Sequence, residues 1–352
     1  MVKENEIMKK PCLVSLVEGK KYAWCTCAHS KTQPFCDGSH KGTDMVPMIF
    51  KAVATEDVLL CACKATRSGP YCDGSHNNLE DTYAEASPEE IESLKNSIFI
   101  PRDGGETGKA LLDGGAYVLT PSAENNTIVE NIHYQPVISM KDGATKLSLH
   151  QLNIKPGTTP WVQYKDVDTV LYIFDGEGQV DISGKVFDVC KETGIYVCPG
   201  EKFRFISNRS MTVFAAVCPT LEDLKISKEN ATDFNDKLKE RRVGIDPAKA
   251  TIMANRFFQI MVDGSVGSHE VTQFIGEVPK SRAAMHRHLY EEAIVILTGE
   301  GRMWTGTMWA EVKPGDILFL PHRQGHSVEC TSQAGMRLMG VFYPSGSPAI
   351  NY

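Results

Sequence analysis

The stretch C-A-C-K-A-T-R-S-G-P-Y-C-D-G-S-H, Cys61 to His76, has a close copy earlier in the chain: C-T-C-A-H-S-K-T-Q-P-F-C-D-G-S-H, Cys25 to His40. Each runs Cys, one residue, Cys, eight residues, Cys, three residues, His, and the copies are offset by 36 residues. Ser or Thr holds the sixth place and Pro the tenth in both. An offset of this size marks a repeated supersecondary unit.

The spacing has a chemical reading. Cys25 and Cys27 stand two apart, so on an extended chain their side chains point the same way. The eight-residue loop, with Pro34 near its end, returns Cys36 to the same point. Asp37 is expected to cap a helical turn, with Gly38 relaxing the backbone and His40 on that turn facing the thiols. Cys61, Cys63, Cys72, Asp73, Gly74 and His76 repeat the arrangement. Three thiolates and one imidazole suit zinc or an iron–sulfur cluster, and spacing alone leans to zinc, whose ligands usually pair as C-x2-4-C.

Over about residues 20–80 the two copies resemble the CDGSH iron–sulfur family, known from mitoNEET-like proteins. The resemblance implies a [2Fe–2S] cluster on each set: Cys25, Cys27, Cys36 and His40, then Cys61, Cys63, Cys72 and His76. It also implies that a pseudo-symmetric pair, made by dimerisation in single-motif relatives, is built here within one chain. A strand at C-L-V-S-L-V and one or two strands between the motifs, the second delivering Cys61, are expected.

Composition bounds the rest. The chain has 352 residues, 42% apolar and 23% charged, which fits two or three ordinary globular domains. A net charge of −7 without Lys/Arg runs argues against nucleic acid or an anionic membrane as partner. The opening M-V-K-E-N-E-I-M-K-K is charged, and no segment reaches the roughly 18 apolar residues of a membrane span. The expectation is a cytoplasmic protein. Beyond the six motif cysteines stand Cys12, Cys190, Cys198, Cys218 and Cys330. Disulfides are not expected, and the last four read as small core hydrophobes.

After His76 the sequence turns polar, then S-P-E-E-I-E-S-L-K sets Ser87 as N-cap, Pro88 at N1 and Glu90 at N3 of a short helix. From about 130 onward short apolar runs alternate with Gly, Pro and Asp, as in T-V-L-Y-I-F, V-F-A-A-V, E-A-I-V-I-L and D-I-L-F-L-P. Residues 220–245 interrupt them with a charged segment read as an amphipathic helix. The β blocks on either side repeat one plan: an apolar strand, a Gly turn (D-G-E-G-Q-V, T-G-E-G-R-M), then a Gly-containing strand ending in Pro.

In the second block, H-R-H-L-Y-E-E spans 286–292 and His326 follows Pro321 by five. His286 and His288 alternate on a strand, Glu292 is reached across a short bend, and His326 comes from beyond a hairpin. Such a set suits a divalent first-row metal with open positions. These residues resemble the cupin motifs G-x5-H-x-H-x3-E-x6-G and G-x5-P-x-G-x2-H-x3-N. His286, His288, Glu292, Gly299, Gly315, Pro321 and His326 match; Gly276 lies four residues early and H-R-Q-G precedes the final His. Glu291 is the competing carboxylate. His322, Arg323, Trp304, Trp309, Tyr290, Arg282 and Met285 adjoin the motif as pocket candidates. In the first block Trp161 and Gln163 replace the His pair, Thr169 replaces the Glu, and no His follows Pro199, so that barrel is expected to be metal-free and structural. His29, His133, His150 and His269 read as ordinary.

The expected fold is therefore mainly β: a small tandem CDGSH domain at 1–80, a connector at 81–130 packing on the next domain, a first cupin jelly roll at 131–220, a helical linker at 221–250, and a metal-binding cupin at 251–352. The expected cofactors are two [2Fe–2S] clusters and one divalent metal, Fe(II) ahead of Mn, Ni or Zn. The combination points to an oxygenase-like oxidoreductase in which the clusters supply electrons to the cupin metal. A redox- or pH-sensitive sensor or cluster-transfer protein, and a non-redox cupin isomerase or lyase, are the alternatives. A small-molecule substrate, an electron donor or cluster acceptor, and a second copy of the chain are the expected partners.

Overall fold

The computed structural model describes residues 11–27, 30–42, 46–64, 66, 69–74, 86, 88–103, 107–164, 167–219, 224–253, 256–288 and 290–348. The chain divides into two compact units, Met1–Ala84 with Ser347–Tyr352, and Glu85–Gly346.

In the first unit Cys12–Leu16 pairs antiparallel with Glu56–Leu60, and Lys21–Trp24 with Met48–Lys51. The 36-residue offset carries the pair Cys12↔Leu60 onto Met48↔Trp24, so the two small sheets are images of each other. Among the described residues, each copy of the motif thus pairs its strands with the other copy. Single bridges Trp24↔Phe35 and Leu60↔Tyr71 fold the two loops back on their own strands. Trp24, Leu60, Cys61 and Cys63 form the buried core, flanked by Val14, Phe35, Phe50, Val58 and Cys72.

The second unit holds two β-barrels. The first faces a seven-stranded sheet (Arg242–Val243, Thr193–Val197, Asp168–Asp175, Met211–Cys218, Ser148–Ile154, Ile132–Ile138, Thr127–Val129) against a smaller one built on Glu177–Ile182 and Lys202–Ser207. The second faces an eight-stranded sheet, with Glu291–Thr298 between Met336–Tyr343 and Ile317–Leu320, against Ser327–Cys330, Gly301–Trp304, Met308–Val312 and Ile98–Phe99. The two large sheets lie face to face. Val170 and Tyr172 pack with Val295, Phe319 and Met339 between the barrels, while Leu171 and Ile173 fill the first barrel itself. A strand covered on both faces has no solvent side, which is why T-V-L-Y-I-F runs apolar without alternation. Each such fully buried side chain contributes about 1.5–3 kcal/mol. Gly194 marks the closest approach: a Cβ there would lie 2.6 Å from Gln273 Oε1 and 3.1 Å from Met261 Cβ of the other barrel.

Three expectations change. The charged segment is not a helix: residues 224–250 carry the short strands Ile226–Ser227 and Arg242–Val243 and one 3-10 turn at Pro247–Lys249. Arg241 is fully buried there and binds both carboxylate oxygens of Glu201, at 2.7 and 2.9 Å. Glu201 also accepts from the Asn235 amide at 2.9 Å. This distant ion pair needs the strap extended, and it overrides local propensity. Secondly, strands of the connector join the distal barrel rather than the next one: Tyr117–Leu119 pairs with Ile317–Leu320, and Ile98–Phe99 with the Met308 end of its strand. The connector still packs on the next barrel as expected: the Tyr117 hydroxyl donates to the Val137 carbonyl at 2.8 Å, Lys109 pairs with Asp142, and Leu119 shares a buried cluster with Ile138 and Leu149. Thirdly, all eleven cysteines are free and Cys198, Cys218 and Cys330 are buried, but Cys190 is exposed at a strand end opposite Glu177.

The connector helix is present as Pro88–Ser93, running into a 3-10 turn at Leu94–Asn96; its proposed cap, Ser87, lies outside the described residues. No helix among the described residues is long and apolar enough to cross a membrane.

Candidate metal centres

At the first motif Cys25 Sγ and Cys27 Sγ lie 3.7 Å apart, and Cys36 Sγ lies 3.1 Å from His40 Nδ1. The Cys36 amide bonds the Ala23 carbonyl at 2.8 Å and the Cys25 amide bonds the Pro34 carbonyl at 2.9 Å, which fixes the loop's return. Asp37 does what its place suggests: its carboxylate accepts from the Ser39 amide at 3.0 Å and from the Lys31 amide at 2.8 Å. Bonds from Ser39 and Lys31 hold that carboxyl well below its usual range. His40 sits on the 3-10 turn Ser39–Gly42.

The second motif repeats the frame, with Cys61 Sγ and Cys63 Sγ 3.5 Å apart, Cys61 N to Pro70 O at 2.9 Å and Cys72 N to Leu59 O at 2.9 Å. Its His76 lies outside the described residues, as does His29. The thiol pairs are too far apart for disulfides and close enough to share one metal group. Cys25 and Cys61 are 1% and 0% exposed. Burial pushes the Cys72 thiol up to about 12, whereas at Cys25 bonds from Ser30, Cys27 and Gln33 outweigh burial and lower it. Buried thiols converging in this way fit the iron–sulfur group that the donor set implies.

In the distal barrel the ligand nitrogens of His286, His288 and His326 lie within 4.8 Å of one another. His286 and His326 bridge antiparallel backbones, with N to O distances of 3.0 and 2.8 Å. Their Nδ1 atoms each stand 2.9 Å from a carbonyl, of Ala284 and Gln324. A carbonyl accepts only, so Nδ1 carries the proton and Nε2 presents a lone pair. Glu292, first but one on Glu291–Thr298, places Oε2 at 3.6 Å from His288 Nε2. That oxygen is buried and makes no hydrogen bond. Burial pushes the Glu292 carboxyl up to about 8 and the His286 imidazole down to about 4, where Arg256 adds to the effect; burial also drives His326 far down. An orphaned buried carboxyl beside neutral imidazoles is a site lacking a positive charge, and a divalent cation fits it.

Around this group, Tyr290 stacks on His288 (ring centroids 4.6 Å) and on Phe342 (4.0 Å). The Arg323 amide donates to the His288 carbonyl at 2.9 Å, and Arg323 itself is held at φ +66. Glu291 turns the other way: its carboxylate accepts from the amides of Thr145, Lys146 and Leu147 and from the Thr145 hydroxyl, all at 2.6–2.9 Å. Arg282 makes an isolated bridge with Glu329. Its guanidinium lies 4.5 Å from the Trp304 ring, which stacks on Trp309.

In the first barrel Trp161 packs under the Arg204 guanidinium at 4.4 Å and Gln163 donates to the Gly200 carbonyl at 2.9 Å. Thr169 is buried in the large sheet, and Tyr164, Phe203 and Phe205 fill the interior. His150 is buried too, its Nδ1 2.8 Å from the Tyr164 hydroxyl. Motif reading passed over Arg256, Phe342 and the amides that hold Glu291. An Arg opening the mostly apolar R-F-F-Q-I-M-V was the available signal for the first.

Comparison with known proteins agrees with both motif readings. The family described as "Iron-binding zinc finger CDGSH type" matches residues 4–41, and the cupin domain family matches 276–342. CDGSH iron-sulfur domain-containing protein 3, mitochondrial, from Homo sapiens is 55% identical over 53 residues, 14% of this chain and 42% of that protein. Its Mus musculus counterpart is 53% identical over 49 residues, 13% of this chain and 36% of that protein. The chain thus spans about two fifths of these relatives. Among solved structures, protein Ylba from E. coli superposes with TM-score 0.51 at 15% identity, covering 73% of this chain and 97% of that one. An oxalate decarboxylase superposes with TM-score 0.52 at 12% identity, covering 64% and 77%. At such identities the likeness is one of fold. The CDGSH domain implies iron–sulfur binding and the cupin domain implies a metal. The chain thus contains a segment similar to the CDGSH iron–sulfur family and a domain similar to the cupin family, in a fold like that of the oxalate decarboxylase.

Proposed function

We propose that this protein is an oxygenase-like oxidoreductase acting on a small molecule. In this reading His286, His288, Glu292 and His326 hold one divalent metal, Fe(II) first, and the two Cys3His sets hold [2Fe–2S] clusters that supply it with electrons. The observation that carries it is the buried three-imidazole, one-carboxyl group in the same chain as two sets of thiols suited to one-electron carriers. Iron bound there supplies O2 activation. Two one-electron carriers match the two electrons that, with O2 and two protons, would be consumed when one oxygen atom enters the substrate and the other leaves as water. An external one-electron reductant refills them.

The chain's own residues have plain tasks. The Ala284 and Gln324 carbonyls fix the tautomers of His286 and His326, so that Nε2 would be left to hold a metal. The stack of Phe342, Tyr290 and His288 sets the plane of the third imidazole. Burial of Glu292 and His326, 3% and 2% exposed, keeps bulk water from their donor atoms.

Metal analysis of anaerobically isolated protein, combined with oxygen uptake on a panel of small organic acids and phenols, tests the reading. Four cluster irons, one further iron and substrate-dependent uptake are expected. Zinc as the fifth metal, with no uptake, would sink it.

A further inference from the structure

The two thiol sets share one frame but not one environment. We infer that Lys64 and Gln33 make the two sites electrically unequal, giving the cluster at the Cys25 motif a more positive reduction potential than the cluster at the Cys61 motif. This rests on the reading that both sets hold [2Fe–2S] groups.

Lys64 follows Cys63 in the second copy and is held at φ +65, a left-handed conformation that a residue with a side chain adopts only under constraint. From there its ammonium donates to Gln33 Oε1 at 2.8 Å and to the Cys61 carbonyl at 3.2 Å. It also lies 4.9 Å from the Trp24 ring centroid. Gln33 belongs to the first copy, and its own amide N–H donates to Cys25 Sγ at 3.5 Å. A cation on the amide oxygen polarises the amide, which strengthens its N–H bond to sulfur. Positive charge and N–H···S bonds both favour the reduced, more negative state of a thiolate-bound cluster.

The 36-residue offset shows that this device exists once. The position equivalent to Lys64 is Ala28, and the one equivalent to Gln33 is Gly69. Gly69 has no side-chain donor to offer Cys61, and the space beside it is taken: a Cβ there would lie 3.0 Å from Trp24 Cζ3. The Trp24 indole, whose equivalent is Leu60, donates instead to the Cys61 carbonyl at 2.7 Å, not to its sulfur. A polar side chain, Gln33, therefore reaches the sulfur of Cys25, whereas at Cys61 Lys64 and Trp24 meet the carbonyl. An electron leaving the Cys61-side group, which is oxidised, settles on the Cys25-side group, which is reduced; no bond or proton is exchanged.

The test is a mediated redox titration of the full-length protein, isolated anaerobically with iron and acid-labile sulfide quantified, followed by visible absorbance and electron paramagnetic resonance. Two one-electron steps are expected, separated at least tenfold in reduction equilibrium, about 59 mV for a one-electron couple. Gln33→Leu should bring the upper step toward the lower and leave the lower in place, Lys64→Gln should narrow the gap by lowering the upper step more than the lower, and Lys64→Arg should keep the gap. With full sulfide content, a single step in the wild type, or variants that move the lower step instead, overturns the inference. Absence of acid-labile sulfide overturns the cluster reading itself, a different result from a loaded protein with one step.

Discussion

Glu291 and Glu292 are neighbours on one strand whose carboxylates face different barrels. Glu291 collects four hydrogen bonds from residues 145–147 of the first barrel, and Glu292 lies 3.6 Å from His288 in the second. The strand that delivers a metal ligand is thereby pinned to the other barrel one residue away.

Opposite responses are expected from these two positions. Glu291→Gln turns an NH2 toward backbone N–H groups and should destabilise the protein by about 2–4 kcal/mol, because charge-assisted bonds contribute about 1.5–3 kcal/mol each and a donor facing donors adds desolvation. Glu292→Gln removes a buried acid that has no hydrogen bond on Oε2, so the metal-stripped protein should melt no lower than wild type while losing cupin metal. Thermal denaturation with and without chelator, alongside metal analysis, separates the two; a similar loss of stability for both in stripped protein would contradict the geometry.

His286→Ala should remove one metal per chain and leave the iron–sulfur absorbance intact, because the thiol sets are built entirely from the first unit. Conversely, Cys36→Ser should diminish that absorbance and spare the cupin metal. Elemental analysis and visible spectra of the two variants check this, and loss of both centres in either one would argue against independent sites.

The Glu201–Arg241 pair sets an acid limit. Burial raises the Glu201 carboxyl, but Arg241 and the amides of Asn235 and Cys198 more than offset it, so the net shift is downward. A lowered folded value means that the stabilisation is complete above the unfolded carboxyl's value, about 4.3, and is lost as pH falls through the folded one. Urea midpoints should therefore drop below about pH 4 in wild type. In Glu201→Gln that slope should flatten, and Arg241→Met should cost about 3–5 kcal/mol at neutral pH by stranding Glu201. An unchanged acid slope in Glu201→Gln would count against the assignment.

At Gly194 the barrels meet too closely for a side chain. Gly194→Val should cost at least about 1–3 kcal/mol through overpacking against Gln273 and Met261. Calorimetry would show it as a lower melting temperature, and an unshifted transition would mean that the sheets part easily.

Much of this was legible because ligand spacing is local. Cys25, Cys27, Cys36 and His40 are set by one loop, and His286, His288, Glu292 and His326 by two adjoining segments, so short-range geometry predicts their convergence. What escaped depended on distant partners. K-L-K-E-R-R has helical character, and nothing nearby shows that Arg241 is claimed by Glu201, forty residues back. The connector strand A-Y-V-L reads as β, but its choice of Ile317–Leu320 is a matter of which sheet edge stands open some two hundred residues on. Nothing local marks Lys64 either, because its partner Gln33 lies 31 residues back in the other copy.

The strand exchange in the first unit has a consequence for how the protein comes into being. Cys12–Leu16 and Lys21–Trp24 find their partners only in the second copy, so neither half of the repeat can complete a sheet by itself. Severing the chain between the copies would leave four orphan strand edges, each able to mate with its former neighbour or with another molecule's half. Both thiol loops must mature in one folding event, and a newly made chain has no stage at which the first of them stands finished while the second is still to be built.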